Sequence, residues 1–369
     1  MHLSKYRPFK GSFLFVGFLF FLTKAGIGTI ELQAKPKNQS SIPETLLESI
    51  QRILNETDTP GAGLALVSRD RLEWAGGVGH TDIETGRIVT DTTLFRLGPI
   101  THLFIALTIL KLQEKGHLKL EDSISSLEPD LRIQNRWDRS HPLNIAHLLE
   151  HTGGLDDCHM SECGSNFSNL FPVHNRIDLF PSYHCRWPPG KYFSYSEVGM
   201  SMTVLVIEKM TGQSFESVVK KEIFDPLEMR DSSFYLDEEL PKDSIEDRFV
   251  KHKNLSLHAS TSINSSPRDM ASLLLFFLNK GRHGGNQLLT TDSILRMETP
   301  STSLAALNGI QTGYGLGLNT TIQNGILVRG YSGRIGGYRS HFEYIPQIGK
   351  GFTLFINSSH SRRGYNSKQ

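Results

Sequence analysis

Three cysteines, Cys158, Cys163 and Cys185, fall within one short stretch with Asp157, His159 and His184 among them. Thiols, imidazoles and a carboxylate are the residue types that ligate a divalent metal, and a close thiol pair can also close a disulfide. The spacing fits no zinc pattern, so loop stapling or unpaired thiols is the expectation, with metal ligation the alternative and no metal or other cofactor assigned. A second centre of interest is His102, which with Thr101 enters a long apolar run directly after Gly98-Pro99. An imidazole is the usual acid or base at neutral pH, and a hydroxyl beside it is a nucleophile only if a base lies within reach.

The run that must hold His102, Leu103-Phe104-Ile105-Ala106-Leu107-Thr108-Ile109-Leu110, is apolar nearly all the way round and predicts a helix buried in the centre of a large domain. Pro99 suits its first turn, where a fixed φ helps and a missing N–H costs nothing. Residues 42–55 have helical periodicity, with Ile42, Leu46, Leu47, Ile50, Ile53 and Leu54 on one side. Strands are expected at 61–67 and 71–77 around a Ser68-Arg69-Asp70 turn, and later at 328–334, 340–344 and 352–356. Between 118 and 211 the chain reads as mostly helical with long loops.

The chain has 369 residues, 39 basic against 38 acidic side chains and a net charge of +1. So balanced a total excludes the charge asymmetry of a nucleic-acid or membrane-surface binder. Lys5, Arg7 and Lys10 precede an apolar run from Phe13 to Leu22, with Leu32-Gln33-Ala34 as a cleavage site. This is the layout of a secretory signal, with a retained N-terminal anchor as the alternative; membrane contact is expected only through that segment if uncleaved. The expectation is an exported chain, periplasmic, secreted or anchored: residues 1–34 as signal, then 35–369 as one domain, with about 40–98 and 213–369 as an α/β part and about 99–212 as a helical part.

Several motifs carry a resemblance. Phe95-Arg96-Leu97-Gly98-Pro99-Ile100-Thr101-His102 is similar to the Phe-Arg-x-Gly-Ser-x-x-Lys run of the serine β-lactamase and penicillin-binding-protein-like family, which includes class C β-lactamases, DD-peptidases and esterases. His147-Leu148-Leu149-Glu150-His151-Thr152-Gly153-Gly154-Leu155 resembles that family's His-Leu-Leu-x-His-Thr-Ser-Gly-Leu, read here as a helix ending at Gly153-Gly154. Pro189-Gly190-Lys191-Tyr192-Phe193-Ser194-Tyr195-Ser196-Glu197-Val198-Gly199 resembles Pro-Gly-x-x-Phe-x-Tyr-Ser-Asn-x-Gly, and opens an apolar helix from Met200 to Met210. Val328-Arg329-Gly330-Tyr331-Ser332-Gly333-Arg334 stands where the family has Lys-Thr-Gly or His-x-Gly on a strand lining the cleft. The resemblance spans about residues 42–357. It implies an α/β fold of the serine β-lactamase/DD-peptidase type: an antiparallel sheet flanked by helices, plus a mostly helical subdomain. Family members add a terminal helix over one sheet face, and nothing after Ser358 has the periodicity for one.

The resemblance implies an active site with three exchanges. Pro99 stands at the nucleophile, His102 at the lysine and Glu197 at the asparagine. Proline removes the hydroxyl and also the backbone N–H that serves the family as one of two oxyanion donors, a group worth about 2.7–4 kcal/mol of barrier. On the family geometry His102, Tyr195, Glu197 and Tyr331 share one cleft, with Arg334 offering the surviving oxyanion N–H and Ser332, Gly333 and Arg334 available to a ligand. His102 beside Glu197 is either compensated packing or an acid–base pair, and Tyr195 either a base or a ligand-binding hydroxyl. Thr101 lies about 200° round the helix from residue 99 and is a poor substitute nucleophile. Three readings follow. The first is a catalytically silent, β-lactamase-related pseudoenzyme binding a peptide-like or cell-wall-derived ligand or a protein partner. The second is an altered amide or ester hydrolase using His102, Glu197 and Tyr195 on water; the third is a decayed, unstable product.

Overall fold

A computed structural model of the chain describes residues 44–82, 85–155, 183–234, 260–335 and 337–358. The candidate signal (1–34), Asp157, Cys158, His159 and Cys163 lie outside these residues. The architecture is an eight-stranded antiparallel sheet with helices on both faces, the expected fold class. The elements used below are α1 (Glu44–Thr57), β1 (Gly61–Ser68), β2 (Arg71–Asp82), β3 (Arg87–Ile88), α2 (Thr101–Glu114), α3 (Ile145–Leu149), α4 (Glu197–Thr211), α5 (Pro267–Leu278), β4 (Gly313–Tyr314), β5 (Asn319–Gln323), β6 (Ile326–Ile335), β7 (Tyr338–Ile345) and β8 (Lys350–Ile356). The strand order is β4-β5-β6-β7-β8-β1-β2-β3, so the last long strand pairs with the first.

Alternation along each strand sorts side chains to two faces. The inner face carries Ala65, Val67, Ala75, Phe342, Tyr344 and Phe355 into the main core, against α5 and the buried helices beyond it. The outer face carries Leu64, Leu66 and Phe352 against Leu46, Ile50 and Leu54 of α1, with Trp74, Val78, Leu354 and Ile356 at its margin. Helix α1, described from Glu44, runs two residues past its expected end at Asn55, and β2 runs five residues beyond the expected strand. Asn357 pins the end of β8 by accepting the Gly61 N–H at 2.8 Å and donating to His80 O at 3.1 Å.

Helix α2 is buried along almost its whole length, as its all-round apolar pattern requires. It packs against α4, which is buried from Val198 to Glu208, closed by the Ser196 cap and ended by Gly212 at φ +65°. That cap starts α4 at Glu197, three residues before the expected Met200. Among the described residues of 118–211, α4 is the one long helix; Ile124–Leu127 and α3 are short, so loops dominate this part. Helix α3 ends earlier than Gly153-Gly154: Glu150 closes it and His151 takes the left-handed conformation at φ +55°. Among the described residues no helix is long and apolar enough to cross a membrane.

Candidate functional site

The turn before α2 is fixed from three sides. Phe95 and Arg96 pair antiparallel with Ser265 and Asn264, the Leu97 N–H donates to Ile263 O at 2.9 Å, and Ser340 Oγ donates to Arg96 O at 2.7 Å. Gly98 then turns the chain at φ +56°, and Gly98–Ile100 form one 3₁₀ turn with Pro99 inside it. Strand β6 passes directly against this turn. A Cβ on Gly333 would fall 1.9 Å from Leu97 O and 3.4 Å from Pro99 N, so only glycine allows the approach. One on Gly98 would lie 3.4 Å from the Arg334 carbonyl carbon. Residue 99 therefore sits against the β6 edge, where the motifs place it, and there it presents a pyrrolidine ring.

One turn on, His102 is fully buried and its Nε2 lies 3.1 Å from Glu197 Oε2. Glu197 also accepts Ser260 Oγ at 2.9 Å and a very short hydrogen bond from the Tyr195 hydroxyl. Helix α4 makes this possible: with Ser196 as cap, Tyr195 and Glu197 flank the helix start and converge on one another. Burial alone would raise the Glu197 carboxyl, but the charge of His102 and the hydrogen bonds from His102, Tyr195 and Ser260 outweigh it and hold it down at about 2. The group is a satisfied carboxylate and a poor base.

His151 completes the wall. Its left-handed backbone directs the ring between Tyr195 and Tyr314, with centroids 4.6 and 4.7 Å away, and 5.4 Å from that of His102. Its Nδ1 accepts the Ser196 N–H at 3.2 Å, which in the neutral ring leaves the proton on Nε2. Burial, then the nearby charge of His102, lower its proton affinity far below the ordinary histidine range. Two ring nitrogens, His102 Nδ1 and His151 Nε2, are buried with no hydrogen-bond partner among the described residues. Tyr331 stands 6.4 Å from His102 and 5.2 Å from Tyr314 by ring centroids, and burial pushes its phenol up to about 12.

The structure thus brings His102, Tyr195, Glu197 and Tyr331 together and lays Gly333 and the Arg334 main chain beside Pro99. Ser332 goes elsewhere: its hydroxyl is exposed on the outer sheet face, 2.7 Å from His341 Nδ1, so its side chain does not serve the cleft. Strand alternation is the reason, since Tyr331 points inward. The Thr101 hydroxyl is buried and accepts the Ile263 N–H at 3.3 Å, pointing away as helix geometry requires. Among the described residues Cys185 is a buried free thiol, its pKa pushed up to about 11 by burial and then by the charge of Asp138. Sequence reasoning missed His151, Tyr314 and Ser260. His151 had a signal as the second histidine of His147-Leu148-Leu149-Glu150-His151, and Tyr314 had one in Tyr314-Gly315-Leu316-Gly317, which resembles a family landmark of low chemical content.

Comparison with known proteins agrees with this geometry. Esterase EstB of Burkholderia gladioli is 29% identical over 206 residues, covering 53% of this chain and 52% of its own. Protein flp of Staphylococcus aureus (strain MW2) is 26% identical over 186 residues, 50% of this chain and 37% of its own. The matched stretches are thus about a third to a half of those curated relatives. The octameric penicillin-binding protein homologue from Pyrococcus abyssi superposes with a TM-score of 0.70 at 26% identity, over 86% of this chain and 74% of that one. The Beta-lactamase family model matches residues 46–368, from α1 past the end of β8, and on that match the chain belongs to the β-lactamase family.

Proposed function

We infer that the family cleft of this chain does not acylate and instead binds a peptide-like or cell-wall-derived ligand. The observation that carries this is Pro99: the turn is held in place by β6, yet the residue offers neither a hydroxyl to attack with nor an N–H to stabilise an oxyanion. Glu197 supports it. A carboxylate held at about 2 by three donors is mismatched to general-base work near neutral pH.

The two partnerless ring nitrogens support the ligand class. His151 offers Nε2–H as a donor, which matches the C=O of an amide, and His102 Nδ1 is a second buried polar atom in the neighbouring ring. A buried polar group without a partner costs about 1–3 kcal/mol, which a seated amide would recover. Export through residues 1–34 belongs to the same proposal.

The test is a fluorescent penicillin on the purified chain beside Pro99→Ser/His102→Lys. A covalent adduct on the double variant and none on wild type is the expected result. An adduct on wild-type cleft residues would overturn the reading of Pro99, and none on either protein would overturn the reading of an intact cleft. A non-reactive probe, an N-acetylated dialanine amide, is expected to raise the wild-type melting temperature and to lose that effect in His151→Phe.

A further inference from the structure

A second constellation lies on the opposite face of the sheet. In the β6–β7 register Ser332 is directly across from His341, and their side chains meet with Oγ 2.7 Å from Nδ1. His341 Nε2 lies 3.3 Å from Glu343 Oε1, two residues along β7 on the same face, within ion-pair distance and without hydrogen-bond geometry. The His341 ring packs 5.7 Å from Phe352, a member of the α1-side cluster, which fixes this face as the outer one. Ser332 is exposed, while His341 and Glu343 are largely covered, with side chains 15% and 17% accessible. A hydroxyl in reach of an imidazole, and that imidazole beside a carboxylate, is the arrangement that activates a serine, recognised by geometry and not by chain order.

We propose that Ser332 is a nucleophile on the outer sheet face, with His341 as its base and Glu343 as the nearby carboxylate whose charge stabilises the imidazolium that forms, acting on activated esters that carry a negative charge. With the His341 proton on Nε2, Nδ1 accepts the Ser332 O–H. Oγ attacks the carbonyl carbon and forms the new C–O bond as its proton passes to Nδ1. The carbonyl oxygen takes the electron pair, and on collapse the bond to the leaving alcohol breaks and that alcohol takes the proton from His341. The products are acyl-Ser332 and free alcohol; water, deprotonated by the same ring, releases the acid and restores the serine. Arg334 and Arg339 stand opposite one another across the same two strands one step along this face, and their positive charge favours an anionic substrate. The hydroxyl is more than a cross-strand neighbour of the histidine, because it is the exposed end of a row whose other two members are covered.

The experiment uses the full chain with the anionic ester 4-nitrophenyl succinate and the neutral 4-nitrophenyl acetate. A burst of nitrophenolate is expected, faster for the succinate, with an acyl mass on the tryptic peptide Gly330–Arg334 that fragmentation assigns to Ser332 and not to Tyr331. Ser332→Ala is expected to lose the adduct. His341→Gln, which keeps a polar group of similar reach, is expected to slow acylation by about 100-fold, the usual worth of a positioned base. Absence of an adduct on wild-type Ser332, or an undiminished rate in His341→Gln, overturns the proposal. Both readouts are separate from penicillin labelling of the inner cleft, so either site can fail alone.

Discussion

Glu197 Oε2 and His102 Nε2 lie 3.1 Å apart at the junction of α2 and α4, although 95 residues separate them in the chain. The two long core helices are tied at their N-terminal ends by this one largely buried contact, to which Tyr195 and Ser260 add their hydroxyls. Replacing Glu197 by Gln keeps the volume and removes the charge. Three donors then face a weaker acceptor, and the expected loss is about 1–3 kcal/mol in urea denaturation. A change below a few tenths would mean that the pair contributes nothing to the fold.

Histidines make the chain acid-sensitive. Burial, opposed in part by the charge of Glu150, lowers His147 to about 4, from an ordinary 6.5. Because the folded value is the lower, the stability it brings is complete above about pH 6.5 and is lost as the pH falls toward 4. The effect is on the order of 2–3 kcal/mol, and His151 acts in the same direction. His147 is also the N3 partner in the capping box of α3, where it accepts the Asn144 N–H at 3.4 Å. Glutamine serves the same box, so His147→Gln should flatten the slope of stability between pH 4 and 6.5 while leaving stability at pH 7.5 within about 1 kcal/mol.

Glu150 is fully buried and accepts the N–H and hydroxyl of both Ser301 and Thr302, with Arg296 Nη1 at 2.7 Å. It ties the loop after α3 to the segment at 301–302. Glu150→Ala leaves those donors and a guanidinium facing a void, and an expected cost of about 3–5 kcal/mol should appear as a large drop in denaturation midpoint.

Gly333→Ala tests the closeness of β6 to the turn. A methyl 1.9 Å from Leu97 O cannot be accommodated without moving the strand or the turn. An expected cost of about 1–3 kcal/mol in denaturation should come with loss of penicillin labelling from the Pro99→Ser/His102→Lys background.

Much of this was legible beforehand. The all-round apolar pattern of 103–110 dictated a buried helix, and alternation in 328–334 and 340–344 dictated paired strands. The grouping of His102, Tyr195, Glu197 and Tyr331 came through motif resemblance, since nothing local in the chain says that residues 102 and 197 meet. His151 was overlooked because Gly153-Gly154 is the cheaper helix terminator on paper; a histidine at φ +55° is held by tertiary contacts, the aromatic rings around it and the Ser196 N–H on its Nδ1. Ser260 approaches Glu197 from a distant segment and left no local trace. The outward turn of Ser332 was implicit in the alternation that sent Tyr331 inward, yet the motif drew attention to the cleft side.

Pro99 also acts on the unfolded chain. Serine at this position would leave a disordered segment free to sample many backbone angles, whereas proline confines one of them before folding begins. At a position whose native backbone already suits the ring, as in this 3₁₀ turn, that restriction favours the folded state by about 0.4–1 kcal/mol. The exchange that empties the nucleophile position is therefore also a stiffening of the chain, and restoring the serine asks the fold to give that back.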